Sequence, residues 1–234
     1  MGKATVAAGA MVLALGLAAP ASAQVVHSVG IGAGLFAPRG IDSRHADDVL
    51  VENLNSLAFD IKDFRGAQVN GEWNMTFSER VELSFGAGYY SRSTPSVYAD
   101  FINKNGSEIE QDLRLRIIPV SAVVRFLPVG RAGQFQPYLG GGVSVLQWRY
   151  SEVGEFVDFN DNYAVFRDRY IASGTTVAPV LLGGLRLPLG GDLYALNTEL
   201  RYQFGTGDLG NNGFTTEKID LGGLHFTVGF MVRF

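Results

Sequence analysis

The sequence predicts an all-β fold, eight antiparallel strands closed into an up-and-down transmembrane barrel with short periplasmic turns and long extracellular loops. Three observations predict it. Apolar residues recur at every second position along most of the chain, which is the period of a strand and not of a helix. The connections alternate between short turns and long polar loops, the pattern of a membrane barrel. Finally, the 234 residues are poor in charge and rich in glycine, with 18% charged side chains and 30 Gly; soluble domains carry roughly 25% charged residues and about 7% Gly.

Met1 to Ala23 reads as a cleaved secretory signal peptide. Lys3 supplies a positive start, Ala4 to Ala19 is small and apolar, and Pro20 precedes the Ala21-Ser22-Ala23 cleavage site. The run is too short for the ~20 residues of a spanning helix. The expected mature chain is 24–234, one barrel domain beginning at Gln24 and exported to the bacterial outer membrane. No peptidoglycan-binding domain is expected after Phe234.

The first strand, about His27 to Phe36, turns Val29, Ile31, Ala33 and Leu35 one way and glycines the other. The second, Arg65 to Phe77, sets Val69, Trp73 and Met75 against Gln68, Glu72 and Asn74. The third, Val81 to Ser91, puts Val81, Leu83, Phe85 and Tyr89 outward. In the fourth, Ile109 to Leu127, apolar residues change phase between Leu113, Leu115, Ile117 and Ile118, Val120, Val124. That change predicts a bulge at Ile117-Ile118, beside Pro119. The fifth, sixth and seventh strands are Phe135 to Tyr150, Thr175 to Leu187 and Leu193 to Phe204. The eighth ends the chain with Phe226, Val228, Phe230, Val232 and Phe234 on one face. An even strand count brings both ends to the short-turn side, and closure leaves no backbone group unpaired in lipid.

Residues 37–64, 92–108, 151–174 and 205–220 are expected as long loops. Their acidic residues, among them Asp42, Asp47, Asp48, Glu52, Glu152, Glu155, Asp158 and Asp161, are expected on a solvated face. Aromatic girdles are expected from Phe77, Phe126, Phe135 and Tyr194 on one side and Tyr89, Trp148, Tyr150, Tyr202 and Phe204 on the other. A net charge of −4 leaves no basic face for nucleic acid.

Alternation turns Glu72, Glu82, Arg125, Arg186, Glu199, Arg201 and Arg233 into the lumen. Eight strands leave an interior that side chains can fill, so these charges are expected to form a salt-bridged plug. Pro119 and Pro179 lie at similar depth on either side of the strand containing Gly140-Gly141-Gly142. Neither carries a backbone N–H, which makes this the place for a lateral gate if the barrel has one.

No motif points to catalysis or a cofactor. Gly30-Ile31-Gly32-Ala33-Gly34 precedes no helix and is no nucleotide loop. Asp158 to Asn162 starts like a calcium loop, but Tyr163 and Arg169 stand where Gly and Glu belong. His27, His45 and His225 have no ligand spacing, and no Cys is present. His225 and Thr227 share the lumen phase, away from the acyl chains that a lipid-modifying enzyme would attack.

The alternating terminal stripe Phe226 to Phe234 and the segment Pro137-Tyr138-Leu139-Gly140-Gly141-Gly142-Val143 resemble the small eight-stranded outer-membrane barrels of the OmpA, OmpX and OmpW type. The resemblance covers the whole mature chain. It implies recognition of the terminal stripe by the barrel-assembly machinery, contact with outer-membrane lipid and lipopolysaccharide, a monomer, and no cofactor. It further implies a non-enzymatic structural or surface-interaction role, with passage of a small hydrophobic solute as the alternative and lipid A modification a more distant one.

Overall fold

The computed structural model describes residues 25–189, 191, 193–210 and 212–234. The signal-peptide reading, with its cleavage after Ala23, lies outside them. Eight long strands form a closed ring: β1 (Val26–Pro38), β2 (Gly66–Thr76), β3 (Val81–Ile102), β4 (Glu108–Phe126), β5 (Gln136–Asp158), β6 (Ala164–Leu189), β7 (Tyr194–Gln203) and β8 (Gly223–Arg233). Each pairs antiparallel with its sequence neighbours, and β1 closes on β8 from Ser28↔Arg233 to Pro38↔Gly223. Around the lower ring closure gives every strand a neighbour on each side, whereas residues 164–179 of β6 ladder with β5 alone.

The lower part of the wall, at the short-turn end, is apolar outside and polar inside. Ile31 is 71% exposed and Val177 67%, and Leu35, Val69, Phe85, Val124, Leu139, Val143, Leu181 and Leu200 are exposed with them. A contiguous apolar surface of this kind needs a nonpolar neighbour. Along β4 the belt runs from Phe126 to Ile118, about 26 Å of strand at ~3.3 Å per residue. With strands tilted by ~35–45°, that projects to roughly 20 Å along the barrel axis, against the ~25 Å band of a membrane barrel. Close strand approach here depends on glycine: a Cβ at Gly34 would lie 1.8 Å from the Phe226 carbonyl oxygen.

The expected bulge at Ile117-Ile118 is absent. β4 keeps one register with β5 through Ile117↔Trp148, Ile118↔Gln147 and Pro119↔Leu146, and with β3 on both sides of that point. The odd positions of β4 face inward throughout: Leu113, Leu115, Ile117, Ser121, Val123 and Arg125 are all buried. What changes at Ile118 is the surroundings. Below it the outside is apolar; above it Arg116 and Arg114 face out and the inside is apolar. The register break in this region lies instead between Val97 and Ile102 of β3.

This inversion continues upward and corrects two further expectations. Residues 92–108 and 151–174 are largely strand, since β3 and β5 run on to Ile102 and Asp158 while β4 and β6 begin at Glu108 and Ala164. Trp148 and Tyr150 belong to no outer girdle; both point inward and are buried. They join Phe36, Tyr90, Leu113, Leu115, Ile117 and Leu146 in an apolar core at the loop end.

That core is closed by the segment after β1. A short helix α1 (Val49–Asn53) inserts Val49 and Leu50, and the following chain adds Leu57, Ile61 and Phe64, all buried. Asp48 caps α1, accepting from Leu50 N at 2.9 Å and Val51 N at 3.3 Å. Such a cap is worth ~1 kcal/mol. The Tyr90 hydroxyl donates to the Phe64 carbonyl, tying this lid to the wall. Asp48 also holds Arg44 at 3.0 Å through both guanidinium arms and is itself buried. Glu152 is buried too, accepting from Asn53 Nδ2 at 2.6 Å and Tyr150 Oη at 2.9 Å. The solvated acidic face expected of the loops therefore excludes Asp48 and Glu152.

Candidate functional site

Inward positions of six strands converge in the lower lumen. β2 brings Glu72 and Asn74, β3 Glu82, β4 Arg125, β5 Tyr138, β6 Arg186, and β7 Asn197, Glu199 and Arg201. Arg125 is the hub. Its Nη2 lies 2.6 Å from both Glu72 Oε2 and Glu199 Oε2, and its Nη1 lies 2.8 Å from Asn74 Oδ1 and 3.3 Å from Glu82 Oε1. Arg186 grips Glu82 with two bonds, and Arg201 Nε donates to Glu199 Oε1 at 3.0 Å. Glu82, Arg125 and Arg186 are fully buried. Three arginines thus meet three glutamates, and the fork geometry of guanidinium lets one Arg bridge several carboxylates.

Tyr138 seals one side of this network. Its hydroxyl contacts Asn197 Oδ1 at 2.9 Å and Glu199 Oε2 at 3.1 Å. Its ring lies 5.0 Å from the Arg125 Cζ and 5.7 Å from that of Arg186, within cation–π range. Gly184 makes the room: a Cβ there would meet the Tyr138 hydroxyl at 2.3 Å. The alternation that turns Arg125 and Arg186 inward also assigns Tyr138 and Asn74 to the lumen, so residues missed as network members carried a readable signal.

Of the seven charged positions expected inside, Glu72, Glu82, Arg125, Arg186, Glu199 and Arg201 are joined in this network. Arg233 is buried on the same inner face, opposite Ser28 on β1. Above the network lies a space of about 30 Å³ bordered by Ser121, Arg201, Gln203 and His225, enough for about one water. His225 Nδ1 sits 2.5 Å from Gln68 Oε1 and its ring packs 4.5 Å from that of Phe36. Among the described residues no group of three or more His, Cys, Asp or Glu could hold a metal ion.

Pro119 and Pro179 do not weaken the wall around β5. Pro119↔Leu146 and Val143↔Pro179 lie within unbroken ladders on the two sides of that strand. The gap is on the other side of β4. Between Ala87↔Val120 and Tyr90↔Ile117 no partners form at Gly88 and Tyr89, because the nitrogen of Pro119 has no proton to offer β3. Pro179 faces outward at the end of the β6–β7 ladder, where its carbonyl accepts from Phe204 N at 3.0 Å. The terminal stripe also points outward, with Phe226, Val228, Phe230 and Phe234 exposed and Val232 partly so.

No protein-family model and no curated protein matches this chain. Several solved structures are similar to it in fold. The attachment invasion locus protein Ail of Yersinia pestis is 12% identical with a TM-score of 0.46, covering 90% of this chain and 99% of that one. Neisserial surface protein A is 13% identical with a TM-score of 0.45, covering 89% and 97%. The outer membrane protein W of E. coli is 14% identical with a TM-score of 0.38, covering 88% and 97%. The fold that the terminal stripe and glycine-rich strand led one to expect, a small closed barrel of eight antiparallel strands, is the fold observed.

Proposed function

We propose that this chain is a non-enzymatic outer-membrane barrel with a structural or surface-interaction role, and that its lumen is closed. The observation that supports this reading is the Arg125-centred network, which ties β2, β3, β4, β6 and β7 together across the lumen. The α1 lid supports closure from the other end. Export by the Met1–Ala23 segment, insertion guided by the Phe226–Phe234 stripe, and a monomer surrounded by lipid and lipopolysaccharide complete the reading. The test is twofold. The folded chain should be recovered in outer-membrane fractions with heat-modifiable gel migration, and it should give no large steady conductance in planar bilayers. A stable open pore would overturn the closed lumen.

One observation favours a second reading, a narrow exit for small hydrophobic molecules. Val69, Asn70, Gly71, Ala87 and Gly88 border both the interior space above the network and an apolar groove of about 700 Å³ on the outer wall. The wall is thin there, beside the ladder gap at Pro119. A disulfide engineered across β3 and β4 at this seam should abolish uptake of an apolar solute if the exit operates. Unchanged uptake after verified cross-linking would eliminate it.

A further inference from the structure

Directly above the apolar belt, β4, β5 and β6 turn a cluster of arginines to the outside. Arg116 stands opposite Arg149, with Arg114 at the next outward position on β4 and Arg169 opposite Val153 on β6. Together with Ser151 they line a recess of about 240 Å³. Like charges directly opposite each other on neighbouring strands destabilise a sheet. Among the described residues none of the four guanidinium groups takes part in an ion pair, and Arg114 donates only to Ser91 Oγ at 3.3 and 3.4 Å. The acidic residue closest by register is Asp112, the next outward position beyond Arg114, and it too makes no ion pair. The patch is basic in a chain whose net charge is −4.

Its height identifies what it faces. Ile118 is the last apolar outward residue of β4, in one row with Gln147 and Thr175. The Arg116–Arg149 pair is the next outward row, about 7 Å further along the strand. If the belt spans hydrocarbon, these guanidinium groups lie at the level of the outer-leaflet headgroups. Partly buried Arg116 and Arg149 over a buried Ser151 form a concave, donor-rich surface, and planar guanidinium groups suit tetrahedral phosphate oxygens.

We infer that this recess holds the phosphate group of an outer-leaflet lipid whose acyl chains lie along the belt below it. The inference rests on the outer-membrane reading above and adds to it a specific lipid contact. Each Arg at an anionic membrane surface contributes on its own; the recess differs in converging several on one group.

The test uses the full chain in phosphatidylcholine nanodiscs doped either with lipid A carrying its phosphates or with the dephosphorylated lipid. Lipid retained by the barrel is read by native mass spectrometry. Phosphorylated lipid A should be retained and the dephosphorylated lipid lost. R116Q/R149Q should weaken retention by about tenfold or more, while R116K/R149K should fall between, keeping charge but losing the fork. A Lys104→Gln control in an exposed loop should change nothing. Equal retention of both lipids, or unaltered retention in the double Gln variant, would overturn the inference. So would inorganic phosphate binding the detergent-solubilised barrel as tightly as the lipid. Should the double variant fail to fold, the single Arg149→Lys is read instead, and unaltered retention there overturns the inference equally. A wild-type chain that does not enter the nanodiscs as a heat-modifiable barrel would overturn the outer-membrane reading itself, and this inference with it.

Discussion

Arg186 holds Glu82 across the lumen with both arms, Nη1 to Oε2 at 3.0 Å and Nη2 to Oε1 at 2.9 Å. Neither side chain reaches solvent, and Arg125 and the Thr76 hydroxyl occupy the remaining capacity of the carboxylate. The pair joins β3 to β6, strands that are not neighbours in the ring.

Removing one partner should therefore leave a stranded charge. Glu82→Gln is expected to cost roughly 3–5 kcal/mol, the usual penalty for breaking a buried ion pair from one side. Equilibrium urea unfolding in lipid vesicles measures it. The double variant Glu82→Gln/Arg186→Met should recover part of that loss, and a strictly additive double would contradict the direct coupling.

Gly184 predicts a steric effect in the same region. A Cβ there would meet both the Tyr138 hydroxyl and, at 2.4 Å, the Thr198 carbonyl oxygen. The second contact is backbone and cannot swing away. Gly184→Ala should destabilise the barrel by about 1–3 kcal/mol, seen as a lower temperature for loss of the compact band on gels. The same substitution at Gly40, which has no neighbour within 4 Å of a built Cβ, should be nearly silent.

Much of this was legible in the chain because one rule, period two, assigns every inward and outward side chain once the phase is known. The rule led to error only where a second assumption entered, that the apolar face always points outward. Leu113, Leu115 and Ile117 share the inward phase of Arg125; the sequence shows their spacing but not which solvent lies beyond the wall. Asp48 and Glu152 escaped for a different reason. Arg44 and Tyr150 lie close in sequence to the carboxylates they hold, but Asp220 and Asn53 reach them only when the segment after β1 folds into the barrel mouth, and no local pattern encodes that contact.

Glu152 should make the lid sensitive to pH. Burial in the apolar core raises its carboxyl above the ordinary value of 4.5, although Asn53 and Tyr150 act in the opposite sense. The folded lid thus holds the proton more tightly than the unfolded chain. Its contribution to stability is complete below the ordinary carboxylate value and is lost as pH rises through the raised one. Asp220, also raised by burial, adds to the effect with the same sign. Amide exchange of α1, corrected for intrinsic rates, should quicken as pH rises from the ordinary carboxylate range through the raised values of these groups. Glu152→Gln should flatten that dependence, and a lid that tightens with rising pH would contradict the assignment.

Local opening should be fastest at the seam beside Pro119. The ladder gap at Gly88 and Tyr89 leaves fewer bonds to break than the continuous β1–β8 ladder at the same depth. Amides of residues 86–90 should exchange faster than those of residues 31–35 in the lipid-embedded barrel. Equal protection at the two places would show that the seam is as firm as the rest.

The exchange of polarity along β4 has a consequence for how the molecule sits. A uniform apolar cylinder could slide along the bilayer normal at little cost. Here a sinking of one outward row would carry Arg116 and Arg149 into hydrocarbon, at up to about 2–4 kcal/mol for each charge near the midplane and less near the surface. A rise of one row would lift Ile118 into water while stretching or thinning the lipid around it. The alternation of β4 therefore works as a draught mark: it sets the depth at which the barrel floats, and it does so on the side of the wall where four arginines stand together.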